Sequence, residues 1–393
     1  MNTERILFLN GLRGILALIV FVHHFLYAFN PDMLFGGNSE AFLSGKWTTC
    51  RIFAYTPLNI FFNPGMAISF FFLLSGYVQS HHYLKTNDFV FLQKSFIKRY
   101  FRLMVPVLSI LVLVFLFHRL SFIHRNGFPY NTLSDGWIKS MLPDNLSFMQ
   151  VLKHGLVDCF YTGKSGYYQI LWTMMVELYN SWMVIILLLV THVIRRKIPL
   201  LFLWLAFQFL FLHSYYSAMF TMGLILCHLH LHSTRFNQLA SQPIVKTICL
   251  AVGIYFASYP FTGYQGGSEK TVYQLISFFE KIPHFISYAI GDLLLFIFLL
   301  HSQFFKKLLS KSFLLFFGEI SFMVYLVHFL IIFSFSVWMY QKLLPHLVST
   351  ANLWVTGLAS FALIIAVSWL LTICIDRPWL TWCNVSIKKY FDI

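Results

Sequence analysis

Long apolar runs alternate with short polar breaks along this chain. Ten runs are long enough, at roughly 20 residues, to cross the hydrocarbon core of a bilayer as helices. They lie near 11–29, 64–84, 101–119, 168–193, 198–213, 215–231, 243–259, 284–302, 313–340 and 351–375, the fifth and sixth divided only by the tight break "LFLHSYYSAM". Two longer polar stretches, 30–63 and 120–167, carry Pro, Gly and Asn punctuation among aromatics ("NPDMLFGG", "HRNGFPYNTLSDGW"). They read as lids or rims on the outer face and are too short for separate domains. No internal repeat or low-complexity tract is evident. The pattern predicts an all-α polytopic membrane protein with about ten transmembrane helices, one membrane-embedded domain over 1–393.

Composition removes the soluble alternatives. The chain is 58% hydrophobic and 11% charged, against about 45–50% and about 25% in soluble domains. The net charge of +14 raises nucleic acid as a partner, but a nucleic-acid binder gathers Lys and Arg on one solvated face. Here they sit in short clusters between apolar runs. With the N-terminus placed inside, the inner segments hold 18 of the 28 Lys and Arg, although the outer segments are longer. That bias predicts cytoplasmic N- and C-termini. The first run is too long for a signal-peptide core and no A-x-A-like site follows it, so it reads as a retained span.

Six cysteines are scattered. Cys227, Cys249 and Cys374 fall in spans as small packing residues, and Cys383 in the cytoplasmic tail. Cys50 and Cys159 both fall in outer stretches, where a disulfide and two free thiols are equally compatible. No Cys/His spacing resembles a zinc site, and no metal is expected.

Ionisable groups inside spans are costly and are functional-site candidates by default. Arg13 and His24 are eleven residues apart in "LRGILALIVFVHHF", close to three helical turns, so they share one stripe about 16 Å apart along the axis while His23 points roughly 100° away. The bland alternatives are an interfacial arginine that snorkels and a hydrogen-bonded packing histidine. Glu177, in "LWTMMVELYNSW", lies well below the outer surface and needs a partner or a proton; a contact with His24 is geometrically open. Ser75 and Gly76 sit mid-span in "SFFFLLSGYV", where Gly76 admits a ligand or, more ordinarily, another helix.

"KRYFRLMVP" places Lys98, Arg99 and Arg102 at the cytoplasmic end of the third span. Arg99 and Arg102 are helix-surface neighbours, and two guanidiniums make a fork for phosphate. Positive-inside charge accounts for Lys98 but less well for Arg102. Tyr325 and His328 are again three apart on one face, Asp292 is another buried acid, and Asp376–Arg377 in "CIDRP" reads as a cytoplasmic boundary element. "TGKS" at 162–165 lacks the glycine a phosphate loop needs five residues before Gly163; Asp158 stands there. "NLS" at 145–147 is a glycosylation sequon meaningful only in a eukaryotic secretory pathway, and "NVS" at 384–386 falls on the cytoplasmic side.

Six of these pieces come in one order: Arg13-x10-His24, "FFFLLSGYV", "KRYFRLMVP", "LWTMMVELY", "ISFMVYLVH" and a terminal acid–basic–Pro. Together they resemble the acyltransferase family 3 membrane proteins, from "LNGLRGILALIVFVHHF" to "IDRP". Asn10 stands where that family often has Asp, and Asp376 where it often has Glu. The resemblance implies ten spans and transfer of an acyl group, often acetyl, from a cytoplasmic acyl-CoA to a hydroxyl at the outer side of the membrane. The acceptor class it implies is a sugar, polysaccharide or other envelope molecule. His24 and Glu177 carry over as active-site residues, and Arg13, Arg99 and Arg102 as donor-binding or structural ones. Some relatives carry a fused extracytoplasmic esterase-like domain; none is expected here.

The chemistry fits that implication. A sugar hydroxyl is a poor nucleophile, and a histidine titrating near neutrality suits removal of its proton as the bond forms. A carboxylate can fix the tautomer, and Ser75 or Tyr325 are candidate oxyanion donors. The expected partners are membrane lipid, acyl-CoA and a hydroxyl-bearing acceptor, with no nucleic acid. The expected location is a plasma (inner) membrane in a bacterium, or an endomembrane or plasma membrane in a eukaryote. A proton-coupled transporter is the rival from another class, since buried His, Glu and Asp also build proton relays, though transporters often show repeats and broken spans. A carrier or scaffold without turnover is the third reading.

Overall fold

A computed structural model describes residues 6–36, 49–124, 126–129, 134–141, 147–163, 166–193, 197–212, 214–260, 271–276 and 285–391. Among these the regular structure is all helical. The ten helices on which the apolar runs fall are α1 (Leu7–Phe29), α2 (Pro64–Thr86), α3 (Phe89–Arg119), α4 (Trp172–Val193), α5 (Lys197–Leu210), α6 (Tyr215–His232), α7 (Pro243–Ala257), α8 (Phe285–His301), α9 (Ser312–Ile331) and α10 (Ser349–Leu371). A further amphipathic helix, Arg377–Phe391, continues from α10 through a π-turn at Thr372–Asp376. The Asn145 sequon, the last two residues of "TGKS" and the inner-loop Arg195 and Arg196 lie outside the described residues.

The expected ten crossings narrow on inspection of length and polarity. Five helical stretches are long and apolar enough to cross on their own: Leu7–Phe29, Phe89–Arg119, Gln169–His192, Ser312–Leu343 and Ser349–Ile387. Two sharply bent pairs raise the count to seven if each is one span: Thr234–Ser241 with Pro243–Ala257 at 77°, and Phe285–His301 with Gln303–Leu309 at 94°. The remaining segments are short or polar. α5 has 14 residues; α2 ends in "QSHHYLKT" and α6 in "HLHLH". Burial inside the protein accounts for the apolar character of α2 and α6, whereas α5 leaves Phe202, Leu203, Phe207 and Leu210 exposed.

The chain divides into two compact units. The first comprises Met1–Val20, Asp32–Phe96 and Tyr179–Gly318; the second comprises Phe21–Pro31, Ile97–Leu178 and Glu319–Ile393.

In the first unit α2 crosses α6 at close range. A methyl on Gly76 would strike the Phe220 carbonyl oxygen, and one on Gly223 would strike the Leu73 carbonyl oxygen. Gly76 therefore serves the packing of a helix, and the two backbones are in direct contact there. α2 starts on Asn63, whose side chain accepts the Met66 N–H at 3.2 Å and donates to the Tyr259 carbonyl at 2.7 Å, with Pro64 in the first helical position. The fully buried Asp292 of α8 receives a hydrogen bond from Ser69 of α2.

In the second unit an aromatic core forms from Phe25, Phe29, Trp137, Phe329 and Phe333. The segment after α3 is pinned to it: the His124 N–H donates to the Phe333 carbonyl at 2.8 Å, and Phe128 packs between Phe29 and Phe333. Pro106 sits within α3 without ending it. Cys50 and Cys159 are both free thiols, which decides between the two readings of the outer-loop pair; burial pushes the Cys159 thiol up to about 12.

The α2–α6 contact gives a stability prediction. Gly76→Ala adds a methyl against backbone that cannot swing away, an overpacking cost of about 1–3 kcal/mol. Thermal unfolding in detergent should show a midpoint several degrees lower. Gly166→Ala, where the new methyl meets nothing within 4 Å, should leave it unchanged.

Candidate active site

The C-terminal end of α1 carries His23, His24 and Tyr27 in the second unit. His24 is half-buried and its Nδ1 lies 3.0 Å from Nε2 of His328 on α9, the rings stacked at 5.1 Å and 16°. His328 is fully buried, and its Nδ1 lies 3.1 Å from the Val324 carbonyl one turn back. Those two contacts order the protons. A carbonyl only accepts, so His328 Nδ1 carries hydrogen. In the neutral ring its Nε2 is then an acceptor. His24 Nδ1 must donate to it, which leaves His24 Nε2 with a free lone pair. The spacing in "ISFMVYLVHF" that put His328 on one face with Tyr325 thus delivers an orienting group for His24.

The surroundings hold the pair in place. Trp137, on the short helix Asp135–Ser140, stacks on His24 at 5.9 Å and on Tyr27 at 4.5 Å. Phe329 meets His24 edge-on at 4.8 Å. His23 is only 4% exposed and turns its ring edge to His24 and Tyr27. The two adjacent histidines are therefore unequal, as their 100° separation predicts: one is packed and the other has an open side. Nothing in "LSDGW" foretells that Trp137 covers a histidine; only its place in an aromatic outer stretch hints at a lid.

Tyr168 is a second residue that the pattern does not reveal. Its buried hydroxyl donates to the Leu326 carbonyl at 2.8 Å and accepts the Leu330 N–H at 2.9 Å. These two groups lie four residues apart on α9, on either side of His328 in sequence, and a π-turn follows at Ile332–Ser336.

The basic motif on α3 splits three ways. Lys98 donates to the Asn384 side chain, Arg99 pairs with Glu177 of α4, and Arg102 grips Asp376 with both terminal nitrogens, Nη2 to Oδ2 at 3.1 Å. Arg102 also lies 5.6 Å from the Phe322 ring. Spacing of three residues brings the two arginine backbones together, but each long arm reaches toward its own carboxylate on a different helix. The pairing departs from the expected side-by-side phosphate fork. It also gives Glu177 a guanidinium partner, whereas the partner found for His24 is the His328 imidazole. Asp376, expected as a boundary element with Arg377, anchors α3, while Arg377 pairs with the exposed Glu319.

The remaining candidates separate. The Tyr325 hydroxyl donates to the Ile170 carbonyl at 2.7 Å and shares a hydrogen with Thr173 at 2.9 Å, so its proton is committed to the backbone and is not free for an oxyanion. Ser75 is buried in the first unit on α2, and Arg13 is half-buried in the first unit on α1. Among the described residues no group of three or more His, Cys, Asp or Glu is arranged to hold a metal ion.

Comparison with known proteins adds the chemistry that this geometry lacks by itself. No solved structure matches the chain. A protein from a Phoma species named Acyltransferase R4 is 21% identical over 396 residues, covering 84% of this chain and 83% of its own length. The sequence profile described as "Acyltransferase domain" matches residues 6–373, from the first turn of α1 to the π-turn after α10. With nearly its whole length matched, the chain belongs to the acyltransferase 3 family.

Proposed function

We propose that this membrane acyltransferase is an O-acyltransferase that moves an acyl group, acetyl in the simplest case, from a cytoplasmic acyl-CoA to a hydroxyl of a carbohydrate or other envelope acceptor. The observation that carries the mechanism is the His328–His24 chain, which presents His24 Nε2 as a free base on the partly open side of the ring. That nitrogen takes the acceptor hydroxyl's proton as the oxygen attacks the thioester carbonyl. Collapse of the tetrahedral intermediate breaks the C–S bond and leaves the ester. The proton held on His24 then returns to the departing thiolate, giving free coenzyme A. His328 acts through His24: its Nε2 accepts from His24 Nδ1–H and stabilises the imidazolium, the part a carboxylate plays in other triads. Trp137 and Phe329 limit water at the base.

In this reading Glu177, Arg99 and Arg102 are positioning residues. They hold α3 to α4 and to the segment after α10, and their charges are neutralised where they stand. Modification of a polysaccharide or lipid-linked sugar fits the open outer side of the site. The acceptor is named by comparing envelope glycans by mass spectrometry with and without the protein, the expected change being loss of acyl-sized mass units.

His24→Ala should lower coenzyme A release from acetyl-CoA by at least about 100-fold, the scale of a lost general base, with expression and thermal midpoint preserved; retained turnover overturns the assignment. His328→Ala should lower kcat by about tenfold or more with KM for the donor little changed. His328→Gln, whose side-chain oxygen still accepts from His24 Nδ1–H, should recover much of the loss. Equal defects in both His328 variants would reduce the residue to packing.

The clamp is tested separately. Arg102→Ala strands Asp376, which has 8% side-chain exposure, and should lower the thermal midpoint by about 5 °C, on the order of 2 kcal/mol. Removing both partners in Arg102→Ala/Asp376→Ala should recover part of that loss. A single variant with unchanged stability but a raised KM for acyl-CoA would instead return Arg102 to phosphate binding.

A further inference from the structure

The sequence "CHLHLH" at 227–232 sends its histidines two ways from the end of α6 in the first unit. His228 and His232 line a cavity of about 190 Å³ with Tyr83, Asn87, Thr191 and His192. His230 turns to another cluster. Its Nδ1 lies 2.6 Å from the Tyr77 hydroxyl, and its backbone carbonyl accepts from Asn237 Nδ2 at 2.8 Å. Asn237 Oδ1 in turn lies 3.0 Å from His301 Nε2 at the end of α8, and His301 Nδ1 lies 2.9 Å from the Ile297 carbonyl. His230 faces His301, His81 and Lys306 closely enough for their charges to act on it, and His301 faces Lys306 and Lys246.

Two properties of this cluster need explaining. The first is charge: among the described residues no carboxylate pairs with His230, His301, Lys246 or Lys306, although both lysines are half-buried. The partner found for Lys306 is the Phe8 ring at 5.5 Å. The second is proton placement. Asn237 spends its amide hydrogens on the His230 carbonyl, so its oxygen is what faces His301. Both His301 nitrogens therefore meet acceptors, which a neutral ring cannot satisfy together and a protonated one can. A positive ring beside two ammonium groups is repulsive unless an anion joins them.

We propose that the end of α6, the start of α7 and the short helix Gln303–Leu309 form a phosphate-binding site whose donors are Lys246, Lys306 and His230 Nε2, with His301 held beside them by Asn237 of the short helix Thr234–Ser241. Phosphate fits better than a carboxylate ligand because several separated donors converge, and a phosphate monoester or diphosphate presents three or more acceptor oxygens and up to two charges. The group has two chemical sources, the nucleotide tail of the acyl donor and the headgroup of an anionic phospholipid. The site is independent of the base assigned to His24.

Binding distinguishes them with the full chain in phosphatidylcholine nanodiscs. Coenzyme A is titrated calorimetrically, and in a separate series phosphatidic acid replaces part of the phosphatidylcholine while the thermal midpoint is followed. Lys246→Gln/Lys306→Gln should weaken the responding probe by about tenfold or more, the scale of lost charge-assisted hydrogen bonds, and Lys246→Arg/Lys306→Arg should retain it. A lysine-dependent response to coenzyme A assigns the donor's phosphates to the site; one to phosphatidic acid alone assigns a lipid. Wild type and the glutamine variant responding alike to both probes, or no response to either, overturns the site. His24→Ala is the control, losing transfer while binding the same probe as wild type, so failure of the phosphate site and failure of the catalytic reading give different results.

Discussion

A guanidinium placed in a helix that passes through a bilayer has to find an opposite charge, and that constraint organises the second unit. Desolvating Arg99 or Arg102 without a partner costs several kcal/mol. Glu177 and Asp376 supply the partners. One acid lies on α4 and the other in the π-turn after α10, so satisfying the charges of α3 also fixes where two other segments sit. Lys98 on Asn384 and the Trp379 indole on the Phe101 carbonyl at 2.7 Å extend the same seam. The bidentate Arg102–Asp376 contact fixes orientation as well as distance, because a planar fork meets a carboxylate in one arrangement. A lysine in its place would keep the charge and lose that geometry.

This pairing also shows how much of the site was legible in the sequence. Helix positions came through because apolar periodicity is a local property: all ten runs fall on helices. The crossing count narrowed because hydropathy alone does not distinguish a helix wrapped by lipid from one wrapped by other helices, and α2, with buried Ser69, Ser75 and Ser80, is of the second kind. Inequality of His23 and His24 followed from 3.6 residues per turn. Partner identity did not, because it depends on contacts between residues 78 to 304 positions apart, such as Arg99 with Glu177 and His24 with His328. Spacing of three residues placed Arg99 beside Arg102 on the helix surface, but arms of that length reach whichever acid is nearest in space. Trp137 carried only the hint of its aromatic stretch, and Tyr168 no sequence signal. Each acts through long-range contacts, and tryptophans and tyrosines are common throughout this chain.

Tyr168 links backbone geometry to the imidazoles. Its hydroxyl contacts the Leu326 carbonyl and the Leu330 N–H on either side of His328, tying that stretch of α9 to the segment before α4. α9 then passes into a π-turn whose Ser334 and Ser336 hydroxyls bond back to the Leu330 and Ile331 carbonyls at 2.5 and 3.1 Å. In a membrane-embedded helix, departures from regular geometry need such local partners for the polar groups they free.

A second imidazole suits the place of an orienting acid when the site is largely dry. A carboxylate beside His24 would be a resident anion, costly to keep ionised away from water and attractive to any cation that reached it. His328 is neutral at rest and fixes the tautomer through its own bond to the Val324 carbonyl. In the mechanism proposed, His24 takes the acceptor's proton and the pair gains a single positive charge as the thioester oxygen becomes negative. Those developing charges would be opposite, so their attraction would be strongest in the transition state. That is differential stabilisation, the form of binding energy that lowers a barrier rather than deepening the ground state.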